Sequence, residues 1–220
     1  MLKLYYHPFA SFCQKALIAL YEKDLPFQPV FIDLGDPEHR ARLKSVWPMM
    51  KFPVLRDEAA VRIIPESSLI IEYLDEIAPD GPRMIPTDPK AALQARLWDR
   101  FFDGFVAMNV TKIVVDGLRP EGRRDEDGVA QAKASIVQAL ELFEREIAGR
   151  EWAIGNEFSL ADCAAAPALF YAGTIMPLER YPHIRSYFER LLARPSFARV
   201  VEEARPFRSL FPLPWPDDYY

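Results

Sequence analysis

Ser11 and Cys13 stand two residues apart where a strand gives way to a helix, and that placement is the first sign of chemistry in the chain. Leu2-Lys3-Leu4-Tyr5-Tyr6 reads as a short apolar strand, His7 to Ala10 as a turn, and the run from Phe12 as a helix. A helix start leaves its first backbone N–H groups unpaired and carries partial positive charge, so it favours thiolates and other anions. A free thiol titrates near 8.5, and lowering it by ~2 units takes about 2.7 kcal/mol. One hydrogen bond involving a charged group contributes about 1.5–3 kcal/mol. A helix N-terminus adds about 0.3–1 kcal/mol. One hydroxyl plus helix-end N–H groups therefore suffices to hold a thiolate, with no second base.

Ser11 is the preferred donor of that hydroxyl, set against a purely structural turn serine. Tyr6 and Tyr5 are fallback hydroxyls, and strand alternation sends one of them into the core. Cys13 reads as a helix-packed thiol before it reads as a nucleophile, and is kept as a second fallback. His7 is a possible proton source, although a single loop histidine is usually solvated.

Two further clusters bear on the same chemistry. Lys51-Phe52-Pro53-Val54-Leu55 places a proline at a strand start, which implies an edge, a turn or a cis bond. With a cis bond, the N–H and C=O of Phe52 would face outward and pair with an extended peptide. The base rate favours trans. Glu66-Ser67-Ser68 opens a helix after a strand: Ser67 offers a hydroxyl and N–H groups to a carboxylate, Glu66 an acceptor to an ammonium. A plain helix cap is the alternative use of that serine.

The elements that position these clusters alternate. Strand 2–6, helix 12–23, strand 27–32, a helical stretch opened by Asp36-Pro37, strands Pro53–Leu55 and Val61–Ile64 about a polar 56–58 turn, and helix 66–77 give the order βαβαββα. A Pro/Gly-rich break follows, with Asp80-Gly81-Pro82 and Pro86-Thr87-Asp88-Pro89. Beyond it the strand signals fade. Lys90 to Leu118 reads as one long helix bearing Trp98, Phe101, Phe102 and Phe105. A second helix spans 128–147. Ser159-Leu160-Ala161-Asp162 opens another as a capping box with Asp in the Glu place. The tail from Pro206 to Tyr220 is rich in proline and aromatics and is expected to pack over the surface. The expected units are residues 1–80, a linker 81–89, and an all-helical 90–220.

Bulk properties narrow the class. The 220 residues are half hydrophobic, enough for a sizeable core, and the net charge is −5 with signs mixed. A nucleic-acid binder would show a basic face. The mixed-sign stretch Arg119 to Asp127 reads as a solvated loop. No apolar run is long enough to cross a bilayer, and no leader-like run opens the chain. The two cysteines, Cys13 and Cys163, form no secreted framework, so a reducing, cytoplasmic setting is expected. No metal site is expected.

Taken together, the order and spacing of these motifs resemble the cytosolic glutathione transferases. The marks are the strand–turn–helix opening, Phe52-Pro53-Val54-Leu55, Glu66-Ser67-Ser68-Leu69-Ile70-Ile71-Glu72-Tyr73-Leu74, and Phe158-Ser159-Leu160-Ala161-Asp162 before Pro167. The resemblance covers essentially the whole chain. It implies an α/β thioredoxin-like domain followed by an all-α helical-bundle domain, glutathione as co-substrate, a homodimer and a detoxification role. It implies that Phe52, before a cis Pro53, pairs with the cysteinyl backbone of glutathione. Glu66 and Ser67 would hold the γ-glutamyl end, and Lys51 would lie near the glycyl carboxylate. The second substrate would be a hydrophobic electrophile between Phe9, Phe12 and the helical face of Trp98, Phe102 and Phe105, with Phe207 and Phe211 closing the site. Counted back from the helix, the family's serine or cysteine falls on Ala10; counted forward from the strand, it falls on Ser11. Ala10 weakens thiol–disulfide chemistry. It also keeps open a non-catalytic glutathione-binding protein. A glutathione-dependent isomerase or lyase is a further alternative, which no residue pattern here distinguishes from a transferase.

Overall fold

The computed structural model describes residues 1–216 and Tyr219. Its first layer is a four-stranded sheet of β1 (Leu2–Tyr6), β2 (Phe27–Phe31), β3 (Val54–Asp57) and β4 (Arg62–Pro65), in the order β2-β1-β3-β4. β1 runs parallel to β2 and antiparallel to β3, and β3 pairs antiparallel with β4. Helices α1 (Ser11–Glu22), α2 (Pro37–Val46) and α3 (Ser67–Ile77) complete the βαβαββα order.

Strand alternation divides β1 between two cores. Leu2 and Leu4 pack with α1 and α3 in the main core, whereas Tyr5 joins Ile32, Leu43, Val46 and Val54 beneath α2. The β3–β4 turn spans residues 58–61 and so starts two residues later than the polar 56–58 stretch suggested. The carboxylate of Asp57 accepts from the N–H groups of Ala59 and Ala60, so Asp57 ends the strand and starts the turn.

The helical layer comprises α4 (Pro89–Phe101), α5 (Met108–Gly117), α6 (Glu126–Ile147), α7 (Leu160–Gly173), α8 (Pro182–Ala193) and α9 (Pro195–Ala204). The stretch read as one long helix is α4 and α5 joined by a π-helical segment, Phe102–Ala107. Every residue of α7 from Leu160 to Ala172 is buried, as expected of a helix that is apolar all round. The Asp162 carboxylate accepts from the N–H of Ser159 (2.9 Å), as the capping box requires, and also from the N–H of Ala153 (2.8 Å) and the hydroxyl of Tyr187 (2.6 Å).

Buried charge joins the layers. Lys15 of α1 pairs with Asp99 of α4 and Asp103 of the π segment, and donates to Ser68 of α3 at 2.9 Å. The Glu22 carboxylate receives both Arg194 N–H arms, at 2.7 and 2.6 Å. Among the described residues no helix is long and apolar enough to cross a membrane.

Candidate active-site cleft

Two helices reach the cleft with open N-termini. Ala10 caps α1 without a side-chain acceptor, and Glu66 caps α3 without one; neither helix has an acid in its first turn. Their first N–H groups are thus free to meet an anion. At α2, α4, α6 and α8 such ends are satisfied by the protein itself: Asp36 caps α2, Asp88 caps α4, Asp125 caps α6, and Glu144 accepts from the first turn of α8. Glu66 lies at φ 70°, a costly conformation for a residue with a Cβ, of order 1–3 kcal/mol. The Phe52–Pro53 peptide is cis.

Around these ends lie two adjoining hollows. The smaller, about 130 Å³, is lined by Lys51, Phe52, Pro53, Glu66 and Ser67 together with Phe12, Trp47, Pro65 and Met108. All five residues expected to hold glutathione thus converge on one hollow. The larger, about 290 Å³, shares Phe12 and Phe52 with it and also takes in Phe9, Ala10 and Ser11. Its far walls come from Ala107, Val110, Thr111 and Val114 across α5, from Pro167, Ala168 and Tyr171 of α7, and from Leu210, Phe211 and Pro212 of the tail. None of its lining residues is charged. Ser11 is the first residue of α1, on this larger cavity beside the shared boundary.

Several expected residues lie elsewhere. Cys13 is fully buried, away from both hollows, and burial pushes its thiol far above the ordinary range. Tyr6 lines a separate hollow with Tyr21, Arg199 and Glu203, and burial raises its phenol. Tyr5 is core. His7 accepts the N–H of Phe9 at its Nδ1 (3.1 Å) and is packed by Phe31 and Phe207, and burial lowers its pKa; its place here is that of a turn-former. Trp98 and Phe102 pack on Phe143 inside the helical core. Phe105 faces solvent. Of the aromatic set expected around the electrophile, Phe9 and Phe12 line the cavity. Phe211 closes it, whereas Phe207 stacks on Phe31. Of the expected tail segment, Asp217, Asp218 and Tyr220 lie outside the described residues.

Tyr171 is the residue the sequence reading passed over. Its hydroxyl donates to the carbonyl of Phe9 (2.7 Å) and accepts from Gln14 Nε2 (3.1 Å), which also donates to the carbonyl of Pro8 (3.0 Å). Burial drives its phenol upward, so it stays protonated and holds the Pro8–Phe9 turn against α7. The signal available was Pro167 and Tyr171 at helical spacing, which shares a face but names no partner. No cluster of three or more metal-ligating side chains occurs among the described residues.

Comparison with known proteins places this geometry in a family. The profile described as "Glutathione S-transferase, N-terminal domain" matches residues 4–83, and that described as "Glutathione S-transferase, C-terminal domain" matches residues 126–190. A glutathione S-transferase from Methylobacterium radiotolerans, solved in complex with glutathione sulfonate, is 30% identical with a TM-score of 0.80, over 91% of this chain and 94% of that one. Another from Methylobacillus flagellatus, solved with GSH bound, is 26% identical with a TM-score of 0.84, over 91% of this chain and 98% of that one. Glutathione S-transferase hmp2 of Hypomyces subiculosus is 28% identical over 205 residues, 87% of this chain and 94% of its own. The chain is a member of the glutathione S-transferase family, with its thioredoxin-like first domain and helical second domain.

Proposed function

We propose that the protein is a glutathione transferase that binds glutathione in the smaller hollow and directs its thiolate at a neutral hydrophobic electrophile in the larger one. The observation that carries this is the junction. Phe12 and Phe52 belong to both hollows, so the two adjoin where a thiol held in one would meet a group held in the other. In this reading Phe52 pairs with the cysteinyl backbone, Glu66 with the ammonium and Ser67 with the γ-glutamyl carboxylate. Lys51 meets the glycyl end. Ser11 donates to the sulfur, assisted by the open N–H groups of α1. The protein's contribution is position and electrostatics. The residues divide as a glutathione unit of 1–80, a linker 81–89 and a helical unit 90–220.

A homodimer is part of the proposal. Leu93, Leu97, Phe105 and Met108 form an exposed apolar stripe along α4 and its continuation, and Leu69 is exposed on the neighbouring α3. The setting proposed is cytoplasmic and the role is removal of reactive electrophiles.

A second reading, a glutathione-binding protein without turnover, is favoured by one observation: Ala10 presents a methyl group at the cap of α1. An isomerase or lyase acting on a carboxylate substrate would place that charge in a cavity whose lining offers no cation. Retention on immobilised glutathione, a thermal shift at millimolar glutathione and turnover of a neutral aryl halide separate the readings. The transferase gives all three. Stabilisation without turnover indicates the binding protein, and no stabilisation removes both.

A further inference from the structure

Gly117 and Gly173 close α5 and α7, and their backbones do not require glycine. The glycines with positive φ among the described residues are Gly149 and Gly155. In a helix, glycine costs about 0.8–1.0 kcal/mol relative to alanine. What these two positions offer is space. A Cβ on Gly173 would fall 2.1 Å from the hydroxyl oxygen of Tyr219 and 2.8 Å from its Cζ. One on Gly117 would fall 2.8 Å from Cδ2 of Leu213, a milder clash that a side-chain rotation relieves. Gly104, in the π segment, would meet nothing within 4 Å, so close approach is not general to the helical glycines here.

Both seats hold the same segment. Tyr219 donates its hydroxyl to the carbonyl of Phe170 (2.6 Å), and its own carbonyl accepts from Trp215 Nε1 (2.9 Å) and from Arg208 (2.7 Å). The Arg208 guanidinium lies 4.8 Å over the Trp215 ring. Trp215 in turn contacts Phe211 (5.2 Å between centroids) and Phe9 (6.1 Å), two rings of the apolar cavity. On the other side, Leu213 on Gly117 directly follows the cavity residues Leu210, Phe211 and Pro212. The segment 211–216 belongs to no helix or strand, so these contacts fix its position.

We infer that Gly173 is a specificity-determining residue: by seating Tyr219 it holds the tail as one wall of the electrophile cavity, and so sets which apolar groups it accepts. The inference rests on the proposal that glutathione and a hydrophobic electrophile occupy the two hollows.

The test compares glutathione, S-methyl glutathione and S-hexyl glutathione, with the neutral fluorophore N-phenyl-1-naphthylamine as a cavity probe that does not need glutathione. The variants are Gly173→Ala, Tyr219→Ala, which alters the tail alone, and Gly104→Ala as control. In Gly173→Ala and Tyr219→Ala, affinity for the S-hexyl compound and for the naphthylamine is expected to fall about tenfold, as contact with several CH₂ groups is lost. Affinities for glutathione and its S-methyl form stay level, and Gly104→Ala matches the wild type. An unchanged hexyl-to-methyl ratio in both variants overturns the inference. If the wild type binds none of the three glutathione compounds, the functional proposal fails on its own account. The naphthylamine then decides the seat, and equal binding in wild type and variants rejects it.

Discussion

A hydroxyl on the first residue of a helix, with no acid in that first turn, has a proton to give and no carboxylate beside it to take it. That is the situation of Ser11, and it decides how the site would ionise a thiol. Ser11→Ala should lower kcat by about 10- to 100-fold, the equivalent of one hydrogen bond to a charged acceptor, while the KM for glutathione holds. Steady-state rates with glutathione varied would show this, and an unchanged kcat would remove Ser11 from the chemistry. Cys13 differs in kind. Its thiol is sealed inside the α1 core and held neutral by burial. Cys13→Ala should keep full turnover and cost about 1–2 kcal/mol of stability through the cavity it leaves; denaturant unfolding beside an activity assay measures both. Ser11 was visible in the sequence because its meaning is local, a polar residue at a helix start. Tyr171 was not, since its partners Phe9 and Gln14 lie far away in the chain and only the packing of α7 brings them together.

Between elements, the Asp57–Tyr73 bond ties the end of β3 to α3, the helix whose start would hold the γ-glutamyl end. The Tyr73 hydroxyl, donating at 2.7 Å, holds the Asp57 carboxyl below its usual range, helped by two backbone N–H groups and opposed by burial. Burial first, then the same bond, pushes the Tyr73 phenol up to about 12. For Asp57 the stabilisation is complete above the unfolded value of about 3.9 and is lost as pH falls through the lower folded value. For Tyr73 it is complete below about 10 and is lost as pH rises through about 12. Tyr73→Phe should therefore weaken the protein by about 1.5–3 kcal/mol at neutral pH and flatten both limbs of the stability–pH curve. Urea midpoints across that range test it, and limbs identical to the wild type would refute the assignment. The same scale explains what the sequence did and did not disclose. Asp36-Pro37 and the Ser159–Asp162 box announce helix starts through neighbours one turn away. Trp98 and Phe102 show helical spacing, but spacing alone does not separate a core face from a substrate face. The π segment after Phe101 then shifts the phase of the helix, so that Ala107, Val110, Thr111 and Val114 meet the cavity in place of the aromatic run.

At the scale of the molecule, one charged joint orders the layers and one apolar stripe is the face of the proposed dimer. Lys15 with Asp99 and Asp103 fixes the helical layer on the sheet layer, so the two hollows keep a common boundary. The exposed stripe of Leu93, Leu97 and Phe105 is the surface proposed to pair with a second copy. Leu97→Glu should turn a dimer into a monomer in light scattering while leaving the fold intact; a monomeric wild type would remove the dimer from the proposal. Neither feature was legible beforehand, since a lysine inside a helix and leucines on a helix surface carry no label until the other layer is in place. The central claim concerns the cleft as a whole: it ionises a bound thiol without using one of its own. The direct measurement is the ultraviolet absorbance of the thiolate, titrated against pH with glutathione bound to the wild type, Cys13→Ala and Ser11→Ala. The account predicts that the bound thiol ionises ~2 units below its free value of about 8.5 in the wild type and in Cys13→Ala, and moves back toward it in Ser11→Ala. A bound thiol that titrates like free glutathione in the wild type, or a curve that Ser11→Ala leaves in place, would contradict it.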